Sequence, residues 1–134
     1  MQKKDQIGYL KIDKIKLYQP LFNIKSKHNN IEENITILEN SIMPDNENSI
    51  IFLAAHSGTG KIAFFQYLNR LKAGDKVKLK YKDKIYNYTI NSIWEEEKTG
   101  YIHINKTKEN QLILTTCSPK NKDKQLIIES ILSK

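Results

Sequence analysis

The chain predicts a mostly β fold, a largely antiparallel barrel or sandwich with one or two short helical insertions. Three observations lead there. Apolar and polar residues alternate at period two through 8–22 and 75–94. Helical spacing is confined to one stretch, where Ile62, Phe65, Leu68 and Leu71 recur. No internal repeat and no regular strand–helix–strand alternation is present, which argues against a parallel α/β architecture.

Taken in order, residues 1–7 read as a tail and 8–134 as one domain. Residues 8–22, GYLKIDKIKLYQPLF, form two strands broken near Asp13 and Lys14, with Pro20 favouring an edge or a strand end. NIKSKHNN is a loop holding His28, and IEENITILEN has room for one helical turn before Leu38. The run 49–55, SIIFLAA, is continuously apolar, as a strand buried on both faces would be. It ends at His56-Ser57-Gly58-Thr59-Gly60. A helix is then expected over the Ile62-to-Leu71 spacing, stopped by Gly74. DKVKLKYK and KIYNYTINSIW make a hairpin turning at Asp83. Residues 95–110 are polar and irregular, a long loop of the kind that often carries function. The final hairpin, 111–132, is QLILTTCSPKNKDKQLIIESIL, two apolar strands around a turn with a proline and alternating charge. Seven or eight strands result.

Composition narrows the function. With 134 residues the chain is long enough for one self-sufficient core, and 28% charged against 39% hydrophobic residues is the balance of a folded, water-exposed domain. No stretch approaches the ~20 apolar residues of a membrane span, and MQKKDQIGYL lacks the apolar core of a signal peptide. The net charge of +7 is nearly all lysine, with Arg70 the single arginine. These lysines are spread along the chain without the Arg/aromatic block that reads bases, so nucleic acid is not an expected partner. One cysteine excludes an intramolecular disulfide and a cysteine-based zinc site.

GTGK at Gly58–Lys61 invites a phosphate-loop reading. That motif needs Gly at 55 and Ser or Thr at 62, where this chain has Ala55 and Ile62. Cys117 sits where an apolar strand stops, a position that gives a thiol direction and access. A free cysteine is also among the most buried residue types, so a packing role stays open. Three histidines could partner it. His28 lies in an Asn-rich loop and His103 in the long loop. His56 ends its strand as Cys117 ends its own. If the two strands are neighbours running the same way, imidazole and thiol meet at one end of the fold. Histidine can then hold the proton that a leaving amine needs near neutral pH.

Four segments in order resemble the sortases, cysteine transpeptidases of Gram-positive cell surfaces. GYLKIDKIKL is similar to their opening GxIxIPxIxL strands, with Asp13 where proline is usual. Ala54-Ala55-His56-Ser57-Gly58 resembles their AGH segment. Phe65 to Asp75, FQYLNRLKAGD, resembles their F-x-x-L-x-x-L-K-x-G-D run. Leu114-Thr115-Thr116-Cys117 matches the end of TLxTC, with Ile113 for the first threonine. The small class D type is nearest, with the class itself open. The resemblance implies an eight-stranded sortase-like β-barrel in which Cys117 attacks a sorting peptide and forms an acyl-thioester. His56 would serve as acid and base, and Thr116 and Lys124 would contact substrate. It also implies an arginine opening the last strand. Here Gln125 stands at that position, or Lys124 if the register shifts by one. Gln125 keeps the family spacing and is the expected third catalytic residue.

The implied partners are the sorting signal of a surface protein and an amine of peptidoglycan or a pilin. The implied location is the outer face of the cell membrane, through an N-terminal anchor outside this chain. No cofactor is expected. In some sortases the long loop helps bind calcium, but the adjacent Glu95, Glu96 and Glu97 cannot all face one ion. The rival readings are a weakened or hydrolytic protein of the same fold, and a non-enzymatic lysine-rich barrel binding an anionic polymer.

Overall fold

The computed structural model describes residues 5–99, 102–104, 109–118 and 123–133. Eight strands form one sheet: β1 (Gln6–Ile12), β2 (Leu17–Phe22), β3 (Thr36–Ile37), β4 (Ile50–Ala54), β5 (Lys76–Tyr81), β6 (Lys84–Glu97), β7 (Gln111–Cys117) and β8 (Lys124–Leu132). Their order is β2-β1-β5-β6-β8-β7-β4-β3, and the two end strands approach each other, so the sheet is a nearly closed barrel. Every pairing is antiparallel except β4 with β7, which run parallel.

Period-two alternation fills the barrel from one side of each strand. Leu10, Ile12, Ile51, Leu53, Val77, Leu79, Leu112, Leu114 and Ile128 point inward and are buried. Each such side chain contributes about 1.5–3 kcal/mol of apolar burial. The opposite face of β4, β7 and β8 is also apolar at Ile50, Ile113 and Ile127, which pack with Phe52, Trp94, Ile102 and Ile104. This double-sided burial is why 50–55 and 112–114 read as continuous apolar runs rather than alternating ones.

The strands break at Asp13–Ile15, a 3-10 turn that ends at Lys16 in the left-handed region (φ 54°). Pro20 sits on β2, at the sheet's end. Gly8 is required by close approach, since a Cβ there would lie 1.7 Å from the Lys80 carbonyl oxygen.

The expected helix over Ile62–Leu71 is not formed. Turns and a 3-10 segment at Leu68–Arg70 occupy it. The apolar residues recur every third position, the period of a 3-10 helix rather than of an α-helix. The bonds follow that period: Gln66 N–H to Ala63 O (3.1 Å), Leu68 to Phe65 (3.1 Å) and Leu71 to Leu68 (3.1 Å). Phe65, Leu68 and Leu71 are buried as the spacing requires. The run closes on Gly74 (φ 97°), and the Asp75 carboxylate accepts from the Lys72 N–H at 2.7 Å.

The long loop begins later than the composition implied. β6 runs on through Glu97 because Glu95, Glu96 and Glu97 pair with Leu126, Gln125 and Lys124. A bulge between Ile90 and Ser92 shifts the register, so beyond it Ser92, Trp94 and Glu96 face outward.

Candidate active site

The parallel pair sets the site. Ala54 lies opposite Thr115, and two further contacts continue the pairing past the end of β4: Ala55 N–H donates to Thr115 O (3.4 Å), and the Thr116 hydroxyl donates to Ala55 O (2.6 Å). The next residues in register are His56 and Cys117. On β8, Gln125 is directly opposite Cys117, and on β6 Glu96 is directly opposite Gln125. Cys117, Gln125 and Glu96 thus form one row across β7, β8 and β6, with His56 next in register just past the end of β4.

This row is on the outer face of the barrel. Cys117 shares its face with Thr115 and Ile113, and Gln125 with Ile127, and Ile113 and Ile127 belong to the outer apolar cluster. The row beneath it is Ala54, Thr115, Ile127 and Trp94. The result is an apolar floor with chemically active groups along one rim.

Cys117 is a free, exposed thiol, which removes the packing role left open above. His56 is half-exposed, and its Nε2 is 3.3 Å from Glu32 Oε1. Its backbone carbonyl accepts from the Phe65 N–H (3.0 Å), so the turn after β4 folds back and fixes the strand end. Gln125 is partly buried. Thr116 is 6% exposed and faces the interior, where its hydroxyl joins β7 to β4. Lys124 has the parity of Leu126, which faces inward, so it starts from the face opposite Cys117; its carbonyl accepts from the Ser118 N–H (2.9 Å).

Two residues near the site carried no signal in the sequence. Lys98 follows β6, and its Nζ donates to Cys117 Sγ at 3.1 Å. Glu32, on the turn before β3, meets His56. His28 and His103 are elsewhere, each on a neighbouring carboxylate: Glu33 at 3.1 Å and Glu96 at 3.3 Å. Glu95 accepts from the Ser118 hydroxyl. Glu95 and Glu96 therefore point to different partners, and among the described residues no three His, Cys, Asp or Glu side chains converge as a metal site. The segment 119–122 of the final hairpin lies outside the described residues.

A nearly closed eight-stranded barrel with a cysteine and a histidine at the ends of its one parallel pair is the architecture of a sortase. The Sortase domain model matches residues 10–132, and the chain belongs to that family. It is 25% identical over 129 residues to Sortase A of Bacillus anthracis, an alignment taking in 96% of this chain and 60% of that protein. This chain thus spans less than two thirds of that relative. Among solved structures it is similar to Sortase C of Streptococcus pneumoniae (TM-score 0.86, 22% identity, 99% of this chain and 70% of that one). It is also similar to sortase C1 of Streptococcus agalactiae (0.84, 24%, 100% and 70%) and to a lid mutant of Sortase A from Corynebacterium diphtheriae (0.84, 17%, 99% and 73%). The eight-stranded sortase fold is thereby established, with only 3-10 turns in place of helices among the described residues. Both sortase A and class C proteins are among the relatives, so they do not single out a class. Sortases are generally transpeptidases acting on sorting signals, usually membrane-anchored outside the cell. Among the described residues no helix is long and apolar enough to cross a membrane.

Proposed function

We propose that residues 8–134 are a catalytic domain that cleaves a sorting signal and transfers the acyl group to an amine, with Cys117 as nucleophile and His56 as acid and base. The Cys117 sulfur attacks the scissile carbonyl carbon; the C–S bond forms as the carbonyl electron pair moves to oxygen. Collapse breaks the C–N bond, and His56 gives its proton to the leaving amine. A second amine attacks the thioester, His56 takes its proton, and the C–S bond breaks. The observation that supports this reading is the in-register parallel pairing of β4 and β7, extended by the Ala55 contacts, whose next residues are His56 and Cys117.

Gln125, opposite Cys117, is the neutral donor at this rim, and its amide stabilises the oxyanion without a charge. Thr116 supports the site from behind by tying β7 to β4. The sorting peptide lies extended along the apolar floor. The acceptor is an amine of peptidoglycan or a pilin, and the domain works at the outer membrane face, held by an anchor.

An electrophilic thiol-directed peptide analogue tests the nucleophile. It should label the wild type and leave Cys117→Ala unlabelled, and a folded wild type inert to it would end the enzymatic reading. Mass analysis of peptide products with and without added amine separates transfer from hydrolysis. Removing an oxyanion donor typically costs ~3 kcal/mol, and a neutral amide supplies part of that. Gln125→Ala should therefore lower kcat/KM by about tenfold, and by more than Lys124→Ala. The reverse order would move the role to Lys124.

A further inference from the structure

We propose that Lys98 supplies this active site with a fixed positive charge beside the thiol, an assignment that rests on Cys117 being the nucleophile. The reaction places negative charge first on sulfur and then on the carbonyl oxygen. The surrounding rim is acidic, with Glu95, Glu96 and Glu97 on β6 and Glu32 beside His56. Three of these carboxylates are turned to other groups. Glu96 takes His103, both the ring Nδ1 (3.3 Å) and the backbone N–H (3.2 Å). Glu95 takes the Ser118 hydroxyl, and Glu32 takes His56. Gln125, facing Cys117 across β8, brings no charge. The Lys98 ammonium, 3.1 Å from Sγ, does.

The backbone explains how it arrives there. Pairing of β6 with β8 persists through Glu97 and Lys124, and the Lys98 N–H then donates to the Asp123 carbonyl (3.2 Å). Beyond the bulge, even-numbered residues of β6 face outward, so Lys98 follows Trp94 and Glu96 onto the face of Cys117. An ammonium has three N–H donors. One can stay on sulfur while another meets the oxyanion as the C–S bond forms. The negative charge moves from sulfur to oxygen within reach of one fixed positive charge, and Lys98 gives up no proton.

The test uses the charge felt at the thiol. Rates of Cys117 modification are measured with an anionic sulfonatoethyl and a cationic trimethylammonioethyl methanethiosulfonate, in wild type, Lys98→Met, Lys98→Gln and Lys98→Arg. A unit charge about 6 Å away in water changes each rate roughly threefold, in opposite senses. The anionic-to-cationic ratio should fall about tenfold in both neutral variants, persist in Lys98→Arg, and converge with wild type at ~1 M salt. An unchanged ratio in either neutral variant that folds normally overturns the proposal. With a sorting peptide, Lys98→Met should lower kcat more than tenfold with KM held within about twofold, and Lys98→Arg should recover much of it; a change in KM alone would refute the catalytic assignment. Absence of any peptide turnover by the wild type would defeat the transpeptidase reading while leaving the charge ratio intact, so the two failures are told apart.

Discussion

Thr116→Val isolates the tie between the two strands that carry the proposed nucleophile and its histidine. Valine keeps the shape of threonine and removes the hydroxyl, so the 2.6 Å bond to the Ala55 carbonyl is lost inside a wall where Thr116 is 6% exposed. A buried polar group that loses its partner costs about 1–2 kcal/mol. Unfolding entropy near 2.1 cal/mol/K per residue, over 134 residues, gives about 0.28 kcal/mol/K. The expected fall in Tm is therefore about 4–7 °C by calorimetry. Function should suffer beyond stability, because the same bond holds His56 level with Cys117, and a displacement of ~1 Å at reacting groups can cost about a hundredfold. Peptide transfer should drop at least about tenfold while alkylation of Cys117 by a small neutral reagent stays within about twofold. Thr116→Ser keeps the donor and should transfer nearly as well as wild type despite a modest stability loss. A valine variant that melts early yet transfers normally would show that the tie is structural only. One that melts at the wild-type temperature would show that the bond contributes nothing.

Two further outcomes concern the frame. Gly8→Ala should destabilise the fold by about 3 kcal/mol in urea unfolding, because its methyl would meet the Lys80 carbonyl and force β1 from β5; a change below about 0.5 kcal/mol would contradict that packing. The Lys14 ammonium at 2.8 Å and then the Lys72 N–H hold the Asp75 carboxyl below the usual carboxylate range. A carboxyl depressed on folding stabilises the native state above its unfolded value of about 4, and that contribution is lost as pH falls through the lower native value. Asp75→Asn should therefore lower stability at pH 7 and flatten the acid-side decline below about pH 4 in urea midpoints. Parallel curves for the two proteins would rule the linkage out.

The strands were legible because their alternation has one simple cause, burial on the barrel side. The placement of the candidate residues was legible wherever it depends on their own strand: Cys117 closes β7 and His56 follows the end of β4, each where an apolar run stops. The Ile62–Leu71 stretch was misread because periods of 3.0 and 3.6 diverge little over four apolar residues, and neither Gly nor Pro interrupts them. Lys98 was hidden for another reason. Its face depends on a bulge at Ile90/Ser92 and on β6 outlasting the apolar signal at Trp94, and both are set by pairing with β8. Residues placed by a partner strand leave little trace in their own neighbourhood of sequence.

That dependence also explains why the proposed chemistry sits beside the parallel pairing of β4 with β7. Two parallel strands bring their C-terminal ends to the same rim, so residues about sixty positions apart reach one place pointing the same way. An antiparallel neighbour, here β8, contributes a residue from its start, Gln125, to that rim. The arrangement is sensitive to register. A slip of one residue on β7 would turn Cys117 inward and Thr116 outward, because side chains alternate between faces. It would bury the thiol and strip the hydroxyl of the Ala55 carbonyl. It would also turn Leu112 and Leu114 outward and bring Ile113 into the barrel. The apolar residues on both faces of β7 make that exchange a weak discriminator by themselves. The Thr116 hydroxyl, satisfied in only one of the two registers, adds a polar preference to it. The residue just before the thiol thus favours the register that turns the thiol outward.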